Sequence, residues 1–454
     1  MTAGLASEVG TTTYSYGATV LSSSISNSLV RIPSAYSPRL VTTVEAYDYS
    51  APSMADVNGN PGIAYVSSGI FYVRASDTKG TVWGNPVNTG ATSNPGSFKM
   101  LMVNGRPAIG YRYYVSPVGT FSTSSVMFIR AADTNGSSWG STIALATAAN
   151  TNNTSLSFQS MAVVNGNPAV LFTSSVGGTN TTLKLIRASD ASGISWGSPV
   201  NLLSVTNGWS DASLAVVNGN PAVCYTETGT LKYVRANDAN GATWGSPVVV
   251  AVDGRSPLLA IVNGKPAVVC CNSDETLLKY VRAVDSSGAT WQPPATVVAR
   301  QNVDYPSLAI VNSRPVICCW VSKADGKEPT ATEYIAANDA DGNTWNTGFF
   351  ISQTYQADGE SEPSSLAVVS GVPFIARTSG GYLYFLRACF ESRFTGEDVV
   401  ASVGSWPRRS AFHWWTSTVR SRTAAADFSP ANPTCAPQSS VSATPQTRVA
   451  VPCA

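Results

Sequence analysis

The chain has 454 residues, with 28 lysines and arginines against 27 aspartates and glutamates, a formal net charge of +1. That balance, with no basic patch, leaves no electrostatic footprint for nucleic acid, so no nucleic-acid partner is expected. No run of about 18 apolar residues occurs, so no membrane insertion is expected.

Residues 1–38 are rich in serine and threonine and read as a partly flexible leader, with a strand near Gly17 to Leu21. Met1 to Ser28 carries Glu8 and no lysine or arginine, so no signal peptide is visible. Composition favours an extracellular or cell-surface location, and no address is legible. Arg39 to Asp48, RLVTTVEAYD, reads as a strand and matches the later segment PATVVARQNVD at Pro294 to Asp304.

From there the chain repeats. The clearest unit is Ser213 to Val250. Ser213 to Val217 is a first strand, and Asn218-Gly219 a dipeptide suited to a type I′ turn. Asn220 to Thr226 is the second strand, Leu231 to Ala236 the third, and Thr243 to Val250 the fourth, after a polar hairpin at Asn237 to Gly241. The turn recurs at Asn58, Asn104, Asn165, Asn263 and Asn312, with Ser370-Gly371 as the seventh version. An arginine closes the third strand at Arg74, Arg130, Arg187, Arg235, Arg282 and Arg387. The hairpin recurs with Asp77, Asp133, Asp190, Asp238, Asp285 and Asp339, followed by Trp83, Trp139, Trp196, Trp244, Trp291 and Trp345. Aspartate-to-aspartate spacing of 47 to 57 residues suits four-stranded blades stacked in a ring. Six copies are complete. The seventh, Ser365 to Ala388, has three strands, and Arg39 to Asp48 is placed to supply its missing outer strand. The expected fold is all-β: a seven-bladed β-propeller of four-stranded antiparallel blades over 39–389, the ring closed by an N-terminal strand.

The form Ser/Asn-Asp-x-x-Gly-x-Thr/Ser-Trp resembles the Asp-box (BNR-type) repeat of the sialidase-like propeller superfamily, over about Arg39 to Ala388. The residue types have a physical role. The carboxylate accepts backbone N–H groups inside the turn, glycine supplies a backbone angle other residues avoid, and tryptophan covers the turn. One carboxylate per hairpin is too few for a calcium loop, even in NDADGNTW with Asp339 and Asp341. These residues are read as structural, as are the repeated arginines.

Function is then sought where the repeats differ. The Asn-Gly and Asp-box turns share one face of a propeller and are uniform. The fourth-to-first and second-to-third connections share the other face and vary. The segments before each first strand place Asp48, Tyr49, Trp209, Asp211, Asp253, Arg255, Asp304, Tyr305, Glu360 and Glu362 on one rim. Aromatic rings stack on the apolar face of a sugar, and carboxylates accept its hydroxyl protons. The first reading is therefore a non-enzymatic binding propeller that recognises a glycan or protein ligand through this face.

Two alternatives stand beside it: a glycoside hydrolase of sialidase-like fold, and a structural module of an adhesin or fibre. The sialidase resemblance implies three arginines, an aspartate acid and a tyrosine–glutamate pair. Val30-Arg31-Ile32-Pro33 looks like the family's Arg-Ile-Pro segment, and Arg112 and Arg377 lie near second-strand ends, but no triad is assignable. No catalytic residue, metal ligand or cofactor is assigned. His413 is the only histidine, which disfavours a histidine triad or multi-histidine metal site.

Cys224, Cys270, Cys271, Cys318 and Cys319 fall in one kind of strand and read as small buried apolar residues. Cys435 and Cys453 have a spacing that leaves a bridge open. Beyond Cys389 the repeat stops abruptly, and residues 390–454 read as an irregular, disordered tail, a replaced or frame-shifted end. Trp414-Trp415 is the alternative there, an aromatic anchor.

Overall fold

The structure, a computed structural model, describes residues 3–7, 10–14, 21–23, 39–42, 46, 51–91, 97–116, 121–178, 180–206, 211–300, 302–321, 330–354, 364–379, 381–387, 399–402, 416–419 and 449–450. The chain divides into two compact units, Pro38–Phe385 and Met1–Ser37 with Leu386–Ala454. In the second of these, Ala3–Ser7 pairs with Gly10–Tyr14, and Leu21–Ser23, Val399–Ser402, Thr416–Val419 and Val449–Ala450 form a four-stranded sheet. The remainder of 1–38 and 388–454, including Arg31, Cys389, His413, Trp414, Trp415, Cys435 and Cys453, lies outside the described residues.

The larger unit is a seven-bladed propeller. Blade 1 runs Ser53–Val57, Asn60–Val66, Ile70–Arg74 and Val87–Asn88, from the axis outward. Blades 2 to 6 repeat this order from Phe98–Val103, Ser155–Val164, Ala212–Val217, Arg255–Val262 and Asp304–Val311. Blade 7 begins at Ser364–Val369, and its fourth strand is Arg39–Thr42, paired with Tyr382–Arg387 through Leu383–Thr42 and Phe385–Arg39. The N-terminal strand thus closes the ring. Ser365 Oγ accepts the Met54 N–H at 3.2 Å, and the Ser370 N–H reaches Asp56 Oδ2 at 3.1 Å, so blade 7 is also stitched directly to blade 1.

The core is a set of seams between blades. Tyr280, Cys271 and Val269 of blade 5 pack on Ile317, Cys319 and Ile335 of blade 6. The five strand cysteines are free and fully buried as small apolar residues. Burial pushes the Cys270 thiol up to about 12, despite Lys279 nearby, so it stays protonated and inert at neutral pH.

The seven inner turns carry two consecutive positive φ angles, as at Asn218 (45°) and Gly219 (82°), the signature of a type I′ hairpin. Asparagine also has a second task. Asn58, Asn104, Asn165 and Asn263 each donate from Nδ2 to the polar hairpin of the following blade, at Thr134, Ser192, Asn240 and Asp341. The repeated arginines tie the first strand to the third: Arg235 Nε donates to Val217 O at 2.9 Å and Nη2 to Asn218 O at 2.7 Å.

In the polar hairpins the aspartate does the folding. Asp238 Oδ1 accepts the N–H groups of Asn240 and Ala242, and Oδ2 those of Thr243 N–H and Oγ1. Partial burial opposes ionisation of Asp238, and these hydrogen bonds outweigh it, so the carboxyl lies below its ordinary range. In the first five hairpins the tryptophan Nε1 donates to the hairpin glycine carbonyl, 3.0 Å from Trp244 to Gly241, whereas Trp345 Nε1 is buried without an acceptor among the described residues. The tryptophan ring is half-buried and crosses the seam, as where Trp139 meets Tyr72 edge-on at 5.5 Å. Asp341, the second acid of NDADGNTW, is consumed by Asn263 and by Arg282 Nη2 at 2.9 Å.

One expectation needs correction. The fourth strand of blade 4 does not begin at Thr243. Trp244 makes a single bridge to Ala236, and the strand proper is Val248–Ala251. Between them Gly245-Ser246-Pro247 interrupts the ladder, because proline has no N–H to donate.

Candidate functional site

Of the ten rim residues expected, Asp48, Tyr49, Trp209, Glu360 and Glu362 lie outside the described residues. The other five stand on blades 4 to 6 at the start of the inner strands, on the face opposite the polar hairpins.

A shared backbone device positions them. Arg255-Ser256-Pro257 and Asp304-Tyr305-Pro306 each insert one extra residue against the second strand, with register shifts between Arg255 and Leu258 and between Asp304 and Ser307. The extra residue adopts positive φ, 48° at Ser256 and 51° at Tyr305. Both precede a proline, which disfavours helical backbone, and neither is glycine. Such strain costs on the order of 1–3 kcal/mol and persists where the surroundings hold it. Its result here is to turn Tyr305 outward, 38 % exposed on the rim.

The charges around Tyr305 are fixed. The Arg255 guanidinium pairs through Nη1 with Glu275 and through Nη2 with Asp304 Oδ2 at 3.3 Å. Burial works against the Arg255 charge, and the carboxylates of Asp304 and Glu275 overcome it, holding the guanidinium above its ordinary range. Asp304 Oδ1 accepts the Tyr305 N–H at 2.8 Å, so the carboxylate also braces the strained residue. Asp211 Oδ2 lies 3.4 Å from the Ser256 N–H. Asp253 is held by Ser273 N–H and Oγ at 2.8 and 2.7 Å and by Lys279 Nζ at 3.1 Å. Burial resists ionisation of Asp253, and Ser273 and Lys279 together bring its carboxyl below the ordinary range.

Glu275, Ser273 and Lys279 were not among the sequence candidates. They belong to the second-to-third connection and third strand of blade 5, whereas the candidates came from the fourth-to-first connections. Both connection types share this face, and the run Asn272-Ser273-Asp274-Glu275 carried a legible signal: two acids where blade 4 has Glu227-Thr228-Gly229. With them, four carboxylates (Asp211, Asp253, Glu275, Asp304) face two cations (Arg255, Lys279), so this part of the rim is acidic. Arg112 and Arg377 sit on blades 2 and 7, and neither joins this cluster. Among the described residues no three histidine, cysteine or acidic side chains group as a metal site, and no helix is long and apolar enough to cross a membrane.

No family model and no curated protein matches the chain. Among solved structures it is similar to the Trypanosoma rangeli sialidase in complex with the inhibitor DANA, at 14 % identity and TM-score 0.43, covering 63 % of this chain and 54 % of that one. The chain therefore spans about half the length of that sialidase. It is also similar to a Hadza microbial sialidase, at 12 % identity and TM-score 0.45, covering 72 % and 73 %. The α-L-arabinofuranosidase Arb93A from Fusarium graminearum gives 12 % identity and TM-score 0.43, covering 64 % and 92 %.

Proposed function

We propose that the chain is an Asp-box propeller that binds a glycan, without cleaving it, through the rim of blades 4 to 6. Tyr305 carries this reading: an exposed aromatic ring held in a strained backbone position beside a fixed Asp304–Arg255–Glu275 network. The ring offers a flat apolar surface for the C–H face of a sugar. The carboxylates, already oriented by Arg255, Ser273 and Lys279, accept sugar hydroxyls at little further ordering cost. Tyr49, Trp209, Glu360 and Glu362 extend the same chemistry around the rim in this proposal.

A glycoside hydrolase is the second reading, favoured by Glu275 and Asp304 sharing one guanidinium, which gives two acids on one site. Both carboxylates are already engaged by the Arg255 guanidinium, an arrangement suited to accepting sugar hydroxyls. This supports binding over hydrolysis.

A glycan array with the full chain tests the first reading. Retained spots with wild type that fade with Tyr305→Ala support it, and unchanged spots in that variant reject it. A fluorogenic glycoside panel tests the second: turnover that disappears in both Glu275→Gln and Asp304→Asn would replace the first reading with the second.

A further inference from the structure

At one position of the inner strands a serine latch recurs and two blades lack it there, the seam of blades 2 and 3 being latched elsewhere by Leu156 N–H on Ser124 Oγ and by Ser97 Oγ on Phe158 O. Five residues before each inner-turn asparagine, or before Ser370, stand Ser53, Lys99, Ser160, Ser213, Leu258, Ser307 and Ser365. In four blades the serine Oγ accepts an N–H from the next blade: Met100 on Ser53 at 2.9 Å, Leu259 on Ser213 at 3.0 Å, Leu366 on Ser307 at 2.8 Å and Met54 on Ser365 at 3.2 Å. In blade 3 the neighbouring Gln159 Oε1 accepts the Ala212 N–H. Blade 5 has Leu258, and its seam with blade 6 carries the Arg255–Asp304 pair instead. Blade 2 has a lysine, and its seam with blade 3 carries no ion pair among the described residues.

Lys99 is not alone there. It pairs with Gly110, and Arg112 lies two residues further on the same strand, so Lys99 and Arg112 share one face of blade 2. That face looks at blade 3: a Cβ on Gly110 would strike the Phe158 ring at 2.6 Å. Arg112 Nε is buried with no acceptor among the described residues, and its guanidinium lies 5.1 Å from the Tyr114 ring centroid. Lys184 of blade 3 pairs with Phe172, whose ring packs into the same seam, and adds a third cation on that side. Among the described residues no acid answers them. From Ser97 to Thr206 the sequence contains two acidic residues, Asp133 and Asp190, and both are spent closing polar hairpins on the opposite face. Burial lowers Lys99 below its ordinary range, and it lowers Arg112 as well, with only the Tyr114 hydroxyl acting the other way. Holding such charges half-buried without a counter-ion is costly, and the cost falls when an anion enters.

We propose that Lys99 and Arg112 form an oxyanion site at the seam of blades 2 and 3, at the channel mouth on the variable face, and that it takes a dianionic tetrahedral group, sulfate or phosphate. Charge balance selects the dianion: a carboxylate leaves at least one of the cations unanswered. The ligand is either the free ion or a phosphate monoester, which keeps a second charge that a sulfate monoester lacks. The site stands on different blades from the Tyr305 rim and does not depend on the glycan reading.

The substitutions that test it are templated by the protein itself. Lys99→Ser installs the residue of the serine-bearing blades, and Arg112→Thr the residue that blades 3 and 4 have at Thr173 and Thr226. Calorimetric titration of the full chain at fixed ionic strength would use sodium sulfate, sodium phosphate, sodium acetate and glucose 6-phosphate. Saturable binding of sulfate or the phosphates is expected, weakened at least about tenfold in each variant, which is about 1.4 kcal/mol. Tighter binding of glucose 6-phosphate than of the inorganic ions assigns the site to a phosphate ester, and the reverse order assigns it to the free ion; both support the site. Acetate binding as tight as sulfate, no saturable binding by any of the ions, or binding unchanged in both variants overturns it. Should a variant fail to fold, crystals of wild type soaked in selenate decide: an anomalous peak between Lys99 and Arg112 supports the site, and a peak elsewhere or none rejects it.

Discussion

The two faces of the ring solve opposite problems. On the hairpin face six blades repeat one aspartate-closed turn, and its polar groups go largely to their own turn or to the neighbouring blade. Asp238 closes its hairpin, Arg235 ties the first strand to the third, and Tyr233 donates its hydroxyl to Ser287 O at 2.8 Å. On the other face the blades diverge, and side chains are held in place without being used up. Tyr305 is strained and exposed, Arg255 gathers two carboxylates, and Lys99 and Arg112 face a seam with no acid among the described residues. Repetition marks where the ring needs stability, and departure from it marks where chemistry is available.

Gly136 offers the harshest way to break this comparison. Its φ is 77°, and a Cβ there would lie 2.5 Å from the Tyr72 ring of the preceding blade. Gly136→Ala combines a left-handed backbone penalty with overpacking and should cost about 3 kcal/mol, read as a lower denaturant midpoint. A neutral result would mean that the hairpin face yields easily and is not the stabilising side.

Asp238→Ala should cost about 1–3 kcal/mol, because several N–H groups lose their acceptor. It also changes the pH response. The folded-state carboxyl lies below its ordinary range, so its contribution is complete above the unfolded value of about 4 and is lost as pH falls through the lower folded value. Thermal scans from neutral pH into this acid window should therefore show wild type losing its advantage over Asp238→Ala. An advantage that persists at the acid end would contradict the assigned role.

Glu275→Gln is the intermediate case. It removes one of the two carboxylates on Arg255, in a half-exposed setting where ion pairs contribute about 0–1 kcal/mol. Stability should shift by less than the Asp238→Ala effect, while glycan binding should weaken measurably on the array. A large stability loss with intact binding would move Glu275 to the structural side.

Much of the hairpin face was legible in the residues because local chemistry dictates it. Asn-Gly needs only its own two dihedrals, and Asp-x-x-Gly-x-Thr-Trp closes itself. The N-terminal strand was legible too, since Arg39–Thr42 resembles the outer strand that blade 7 lacks. The late start of the blade 4 outer strand was hidden in the spacer Gly245-Ser246-Pro247, which the apolar pattern of Val248 to Val250 masks. On the variable face, Asp211, Asp253, Arg255, Asp304 and Tyr305 could be named from their connections. Glu275 could not be joined to them, because its link to Arg255 spans 20 residues and depends on how two loops meet. Lys99 was the least visible. Inside Phe98–Val103 it reads as an ordinary strand residue, and only the serine latches of the other blades show what it replaces.

Tyr305→Gly gives the most direct test of the division between the two faces. Glycine relieves the positive φ and deletes the ring in a single change. Unfolding midpoint and glycan-array binding are measured on the same preparation. Expected is a midpoint equal to or slightly above wild type, by up to about 1 kcal/mol, with binding reduced about tenfold or more, the loss of roughly 1.4 kcal/mol of ring contact. A lowered midpoint with binding intact would make Tyr305 a structural residue and remove the assignment of function to this face.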